Sequence, residues 1–444
     1  MGKKAAIHNL GCKVNAYEAE AMQQLLEAAG YEIVPFAPGA DVYIINTCTV
    51  TNIADRKSRQ MLHRAKKMNP QAVVVAAGCY AQTDTKNLEK DEAIDLIVGN
   101  NCKHSIVELL EKRLGASSGI SPIRQTREFE PLFLTKTAEH VRAYIKVQDG
   151  CNQFCTYCII PFARGRVRSR QIADVLEEIR VLARKGYQEV VLTGIHLSSY
   201  GVDFPGGAKE SLLSLIRAVH EVPGIRRIRL GSLEPGIITE EFAGEIAAMP
   251  KLCPHFHLSL QSGCDDTLKR MNRRYTSAQY AEKCALLRRY FDDPALTTDV
   301  IVGFPMETEK EFEASRAFVS GIHFYETHIF KYSRRQGTKA AAMSGQLTEA
   351  QKAARSDILL ELDEQRRTEY ENRKMGKPLE VLLEEEILLN GEKVLVGHSR
   401  EYIKAVVPVT WKTGVNQIVT LIPDHFAGPH LLAGKSVTER AAEE

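Results

Sequence analysis

Residues 141–158 read VRAYIKVQDGCNQFCTYC, a short strand candidate that runs into a loop carrying Cys151, Cys155 and Cys158. The spacing is CxxxCxxC, and the next cysteine downstream, Cys253, is too far along the chain to share that loop. An iron-sulfur cluster normally takes four cysteine ligands, and a structural zinc site also closes with four protein ligands. Three local thiolates leave one coordination position open for chemistry. The alternatives are three buried small hydrophobes, or a zinc site completed by a remote histidine. Three cysteines so closely spaced, followed by the basic stretch from Arg164 to Arg170, argue against both.

Further strand candidates follow outward from that stretch: QEVVLTG, RRIRLGS, HFHLSLQ, LTTDVIVGF and HFYETHIFKY, with helical patterns between successive members. Six such βα units predict a partial (β/α)6 barrel, in which functional residues sit on the loops after the strand C-termini. The cysteine triplet falls in the first of these loops. Upstream, KAAIHNL, DVYIINT, AVVVAAG and IDLIVG alternate with amphipathic stretches and predict a parallel sheet covered on both faces. Downstream, a charged helix from about 348 to 375 leads to LEVLLEEEIL, EKVLVGHS, YIKAVVPV and QIVTLI, separated by turn signals, and predicts a small all-β barrel. The expected domains are residues 1–115, a linker over 116–137, the barrel over 138–369, the β-barrel over 370–436 and a tail over 437–444. A formal G-x-S-x-G at Gly115–Gly119 lies in the linker region, without the strand and helix that a nucleophile elbow requires.

Composition sets the bounds. At 444 residues the chain needs two or three domains, and 44% hydrophobic with 26% charged residues is the make-up of a soluble globular protein. No apolar run is long enough to span a bilayer, and the first residues lack a signal-peptide core, so a cytoplasmic, membrane-free protein is expected. In such a compartment ten cysteines point to metal ligands, reactive thiols or buried side chains rather than disulfides. Cys12, Cys48 and Cys79 each follow a strand of the first domain, and the C-terminal ends of parallel strands lie along one edge. They are expected to converge as a second open three-cysteine site. Cys102, Cys253, Cys264 and Cys284 show no such pattern and are assigned as buried thiols. With a net charge of only +2, nucleic-acid binding would have to come from local patches.

CxxxCxxC is the signature of the radical S-adenosylmethionine enzymes, and the longer runs LGCKVNAYEAE, CNQFCTYCIIPFARGRVRSR, VVLTGIHLSSYG, RLGSLEP, HFHLSLQSGCDDTLKRMNRRYT, TTDVIVGFPMETEKEFEAS and FKYSRRQGTKAAAM resemble the methylthiotransferases over nearly the whole chain. The resemblance implies an α/β enzyme: an N-terminal parallel-sheet domain, a central radical S-adenosylmethionine barrel and a C-terminal RNA-binding TRAM barrel. It also implies two 4Fe-4S clusters and S-adenosyl-L-methionine as cofactors. GCKVNAYEAE with CIIPFARGRVRSR is most similar to the branch that adds a methylthio group to C2 of N6-threonylcarbamoyladenosine at position 37 of tRNA, 3′ of the anticodon. Substrates of the sister branches, isopentenyladenosine in tRNA or a ribosomal-protein aspartate, are the alternatives, and a non-catalytic metal-containing RNA binder is a third. Gln336 departs from the family, which commonly has proline there.

In that family one molecule of S-adenosylmethionine methylates a sulfur on the N-terminal cluster, and a second yields the radical that activates the adenine carbon. The implied partners are tRNA carrying threonylcarbamoyladenosine, an electron donor such as flavodoxin or ferredoxin, and a sulfur source. Thr193 and Gly194 at the end of the second barrel strand, with Glu234, Ser259, Gln261 and Asp299 at later strand ends, are candidate S-adenosylmethionine or pocket contacts, or else ordinary rim residues. Arg164, Arg166, Arg168, Arg170, Arg273, Arg274 and Arg335 belong to three basic groups and are expected to contact RNA phosphates.

Overall fold

The computed structural model describes residues 2–112, 119–137, 141–205, 210–411 and 413–436. A first layer is a five-stranded parallel sheet in the order β2-β1-β3-β4-β5, built from β1 (Lys4–Asn9), β2 (Glu32–Ile33), β3 (Val42–Thr47), β4 (Val73–Gly78) and β5 (Leu96–Val98). Central β3 is buried along its whole length, as a strand covered on both faces must be. Three helices start where strands end: α1 (Lys13–Ala28), α2 (Asn52–Met68) and α3 (Cys79–Thr83). The α2 start is set by Thr51, whose hydroxyl accepts from Ala54 N (3.1 Å) as an N-cap.

The middle region is the expected partial barrel. Its six parallel strands are β6 (Ala143–Asp149), β8 (Glu189–Gly194), β9 (Arg227–Leu230), β10 (His255–His257), β11 (Ala295–Val302) and β12 (Glu326–Lys331). They run in chain order, with single parallel bridges Ile228–Leu252 and Leu233–Leu258 joining the β9 edge to the β10 edge. A two-residue strand, β7 (Arg168–Ser169), pairs antiparallel with β6 and was not foreseen in the basic run. Alternate residues of the strands, such as Ala143, Ile145 and Val147 or Leu296, Val300 and Val302, pack outward against the covering helices.

A capping-box helix, Glu349–Asn372, leads to a closed five-stranded barrel, β13 (Leu379–Leu389), β14 (Glu392–Ser399), β15 (Lys404–Pro408), β16 (Ile418–Gly428) and β17 (Leu431–Ser436). Four of these strands were read from sequence, and β17 closes the ring. The β13–β14 turn is Asn390-Gly391 with both residues at positive φ, the hairpin chemistry expected of that dipeptide.

The β13–β17 barrel stops the floor of the larger one. Arg227 and Arg229, on β9, donate to backbone carbonyls of His398, Ser399 and Arg400, and Arg400 donates back to Leu252 O (2.7 Å). Tyr402 is held between Arg142 and Arg229, each guanidinium 4.9 Å from its ring centre, and stacks on His255 at 5.0 Å.

Residues 119–137, which fall in the expected linker over 116–137, form a packed strap. Leu132 and Leu134 are buried, Tyr17 Oη donates to Leu132 O (2.8 Å), and Leu134 N donates to Glu178 Oε1 (2.5 Å). Buried Glu130 accepts from Lys103 N (2.5 Å), so the segment ties the first domain to the barrel. Gly119 bridges Val98, whereas Gly115–Ser118 of the G-x-S-x-G match and the tail over 437–444 lie outside the described residues. Among the described residues no helix is long and apolar enough to cross a membrane.

Candidate functional site

Cys151, Cys155 and Cys158 occupy the loop after β6. Gly150 opens it with φ +71°, and a Cβ there would lie 1.8 Å from Arg166 O, so only glycine lets the loop turn this tightly beneath the next segment. Cys151 Sγ accepts from Gln153 N (3.5 Å), and Cys155 Sγ accepts from Arg273 Nη1 (3.3 Å). Burial pushes the Cys151 thiol up to about 11 and the Cys158 thiol up to about 12, the latter also through its neighbour Cys155. Thiols crowded and buried in this way need a bound cation to become thiolates together.

Cys12, Cys48 and Cys79 lie just past the C-terminal ends of β1, β3 and β4. Cys12 precedes α1 and Cys79 begins α3, so two of the three sit at helix starts. Burial raises Cys12, and burial together with Cys79 and Cys12 pushes Cys48 up to about 11. The Cys12 side chain has accessible surface even so. Gly78 fits beneath this edge: a Cβ there would meet Asn46 Oδ1 at 2.6 Å.

Two buried polar residues join the sets. Asn100 Nδ2 donates both to Cys79 Sγ (3.5 Å) and to Ala163 O (2.9 Å) of the helix Ile160–Arg164, which follows Cys158 and packs on α3. Arg164 is fully buried. It donates to Glu18 Oε1 (2.8 Å) and Asn15 Oδ1 (2.8 Å) of α1 and to Asp149 Oδ1 (3.1 Å) of β6, and it is a charge neighbour of Cys79 and Cys12. Lys146 and Lys103 complete this core by pairing with Glu18 at 2.7 and 3.1 Å. Burial alone would raise the Glu18 carboxyl, but the three cations around it hold it well below the usual range. Two all-thiol triads carrying N–H···S hydrogen bonds and a buried guanidinium fit two iron-sulfur clusters, each with a vacant iron position.

The other candidates fall into place unevenly. Thr193 is buried at the end of β8, and Gly194 abuts Gln148, where a Cβ would come within 2.8 Å of Oε1. Gln148 itself went unread in the sequence, yet it accepts from His196 N (2.8 Å) and donates to Gly150 O (2.8 Å), linking the cysteine loop to the β8 end. Glu234 is held by His196 (2.6 Å) and Arg273 (3.1 Å), which overcome burial and keep its carboxyl below the usual range. Arg273 thus joins Glu234 to Cys155. Ser259 contributes its carbonyl to Tyr275 Oη (2.7 Å), Gln261 takes φ +71°, and Asp299 lies 3.2 Å from His257 Nε2.

The expectation for the basic residues needs correction. Arg164, Arg168, Arg170 and Arg335 are buried and paired internally, Arg168 with Asp149, Arg170 with Glu178 and Arg335 with Asp55. Arg273 is turned inward to Glu234, 3.1 Å away. A guanidinium buried against carboxylates is not free to neutralise a phosphate, so these five serve the domain interfaces and the cysteine loops. Arg335 also donates to Asn52 Oδ1 (2.5 Å) and Thr49 Oγ1 (2.7 Å), which fastens the loop after Cys48 to the barrel rim. Arg166, over the Phe154 ring at 4.9 Å, and Arg274 remain exposed. Of the four leftover cysteines, Cys253 and Cys284 are buried, and Cys102 and Cys264 are half-buried.

Comparison with known proteins gives two family matches: Uncharacterized protein family UPF0004 over residues 4–99 and the Radical SAM superfamily over residues 145–319. The chain is 40% identical over 405 residues to the threonylcarbamoyladenosine tRNA methylthiotransferase MtaB of Bacillus subtilis, covering 90% of this chain and 89% of that protein. It is 40% identical to the protein of the same name from Aquifex aeolicus, covering 86% and 93%. A tRNA-2-methylthio-N(6)-dimethylallyladenosine synthase of Acetivibrio thermocellus is 34% identical, covering 90% and 84%. Among solved structures, the radical S-adenosylmethionine methyltransferase TsrM from Kitasatospora setae aligns with TM-score 0.58 at 16% identity over 77% of each chain, a likeness of fold.

Proposed function

We propose, because the chain belongs to the tRNA methylthiotransferase family, that it installs a methylthio group on C2 of N6-threonylcarbamoyladenosine at position 37 of tRNA. The single observation that carries the reading is that two three-cysteine sets from different domains are joined, through Asn100 and Arg164, where the Cys79 helix meets the helix that follows Cys158. Its cofactors are two 4Fe-4S clusters and S-adenosylmethionine, which when bound supply the sulfur and the radical that attacks an unactivated C–H bond.

Cys151, Cys155 and Cys158 would hold one cluster and Cys12, Cys48 and Cys79 the other. The residues around them have separate tasks. Arg164 balances buried negative charge between the sets, and the Arg273 hydrogen bond to Cys155 does the same at the barrel loop. Glu234, positioned by His196 and Arg273, is suited to receive the amino group of S-adenosylmethionine, and Thr193 and Gly194 line the approach. Ser259, Gln261 and Asp299 line the same mouth. Exposed Arg166 and Arg274, with the β13–β17 barrel read as TRAM, supply the RNA-facing side, consistent with phosphate contacts that position a substrate. An external electron donor and a sulfur source complete the partner set, and a cytoplasmic location fits tRNA as substrate.

Iron and acid-labile sulfide per chain, measured after anaerobic reconstitution, test the ligand assignment. The wild type is expected to hold two clusters. Cys151→Ala/Cys155→Ala/Cys158→Ala and Cys12→Ala/Cys48→Ala/Cys79→Ala variants should each hold half as much iron. Zinc without iron in the wild type would reject it.

A further inference from the structure

His257 of β10, Asp299 of β11 and His328 of β12 sit on three consecutive strands, with His257 opposite Thr297 and Asp299 opposite His328 in the ladder. Leu296, Val300 and Val302 of β11 pack outward, so alternation turns Thr297 and Asp299 to the inner face of the sheet. One nitrogen from each imidazole and one carboxylate oxygen all lie within 4.8 Å of one another. His257 Nε2 is 3.2 Å from Asp299 Oδ2, and the two imidazole rings are near-parallel with centres 5.6 Å apart.

An ordinary histidine–carboxylate pair aims an N–H at the carboxylate oxygen. His257 does not: its buried Nε2 makes no hydrogen bond among the described residues, although Oδ2 is close. The other ring nitrogen, Nδ1, lies 3.0 Å from Thr297 Oγ1. A proton on Nδ1, donated to that hydroxyl, leaves Nε2 with a lone pair turned toward Asp299. A lone pair and a carboxylate oxygen at this distance repel unless a cation lies between them. This is the state of a metal-ligating histidine, its outer nitrogen fixed by a hydrogen bond. Metal–ligand bonds of about 2.0–2.2 Å set neighbouring ligand atoms about 3–3.5 Å apart, which His257 and Asp299 already satisfy. His328 is exposed and its Nδ1 is 3.9 Å from Glu326 Oε1, beyond hydrogen-bond reach, so its ring can turn to close the set.

We propose that His257, Asp299 and His328 hold a divalent transition-metal ion on the inner face of the barrel, separate from both cysteine sets. Two neutral imidazoles and one carboxylate suit zinc, manganese or ferrous iron, and they leave the ion a net positive charge and open coordination positions for water. None of the three residues belongs to a cysteine set, so the site stands independently of the methylthiotransferase reading.

Equilibrium dialysis of the untagged, cluster-loaded protein against zinc, with zinc and iron counted together by elemental mass spectrometry, tests the site. Wild type is expected to take up one zinc per chain at unchanged iron. Thr297→Val, which removes only the outer hydrogen bond, should weaken zinc binding by about 10–100-fold, and His257→Ala, Asp299→Asn and His328→Ala by at least as much, all with iron unchanged. His328→Ala alters an exposed side chain, so it keeps the test decisive should a buried variant fail to fold. A wild type that takes up no zinc overturns the proposal, and so does zinc bound equally by wild type and His328→Ala. Zinc that enters only as iron is lost would assign the metal to the cysteine sets and overturn it as well.

Discussion

At the scale of single residues, Arg164 changes meaning most between sequence and structure. Within the run RGRVRSR it reads as one of four alternating surface cations, and the alternation is real. What the spacing could not convey is that Glu18, 146 residues away, waits on α1 to bury it. Long-range partners of this kind leave no local signature. Lys146 and Gln148 did leave one, being polar inward positions on an otherwise apolar strand, and that was the signal for the ion-pair core and the β8 contact. Because Arg164 is wholly buried among carboxylates, Arg164→Met should destabilise the fold by about 3–5 kcal/mol, the usual result of breaking a buried pair from one side. Urea unfolding checks this, and a loss below about 1 kcal/mol would show that Lys103 and Lys146 suffice. The Gln336 departure is benign by comparison: it occupies the second position of the Arg335–Thr338 turn, where proline is favoured but not required, while Gly337 supplies the positive φ.

At the scale of elements, strands and helix starts were well read because alternation, glycine and capping residues are local. The short strands β2 and β7 were missed because pairing partners, rather than composition, make them. The helix Glu349–Asn372 was read from its charge pattern, and its packing on β12 produces a pH response the pattern could not suggest. Burial, with Glu326 nearby, pushes the Asp363 carboxyl up to about 6 even though Thr327 N donates to it (2.5 Å). A folded-state value above the unfolded one of about 4 means the native protein binds the extra proton, so this contribution is full below pH ~4 and lost as pH rises through ~6. Asp363→Asn should therefore be close to neutral near pH 4 and more stable than wild type by up to about 2–3 kcal/mol above pH 7. Melting temperatures across that range decide it, and a gap that shrinks with rising pH would contradict the assignment.

At the scale of the whole molecule, three domains that are separable in sequence are interlocked in space. The segment expected as a linker is a strap, Arg335 fastens the first domain to the barrel rim, and Tyr402 closes the barrel floor. Tyr402→Ala removes a ring stacked on His255 and faced by two guanidinium groups, and should lower stability by about 1–3 kcal/mol. Calorimetry should show the loss in the central barrel's transition, and an unchanged transition would mean the floor is held by the Arg227 and Arg229 backbone contacts alone. The six cysteines were legible because each follows a strand, and strand ends in parallel sheets share an edge. That the two sets should face each other was expected from the two-cluster mechanism the family resemblance implies, whereas the Asn100 and Arg164 contacts that join them were not legible, since they depend on how two domains dock. The most direct measurement is mass spectrometry of nucleosides from threonylcarbamoyladenosine-bearing tRNA after anaerobic incubation with reductant, S-adenosylmethionine and a sulfur source. The account predicts 2-methylthio-N6-threonylcarbamoyladenosine with wild type, and none when either cysteine triad is replaced by alanine. Product formed by a variant lacking one triad, or a wild type with both clusters that leaves this nucleoside unchanged, would contradict it.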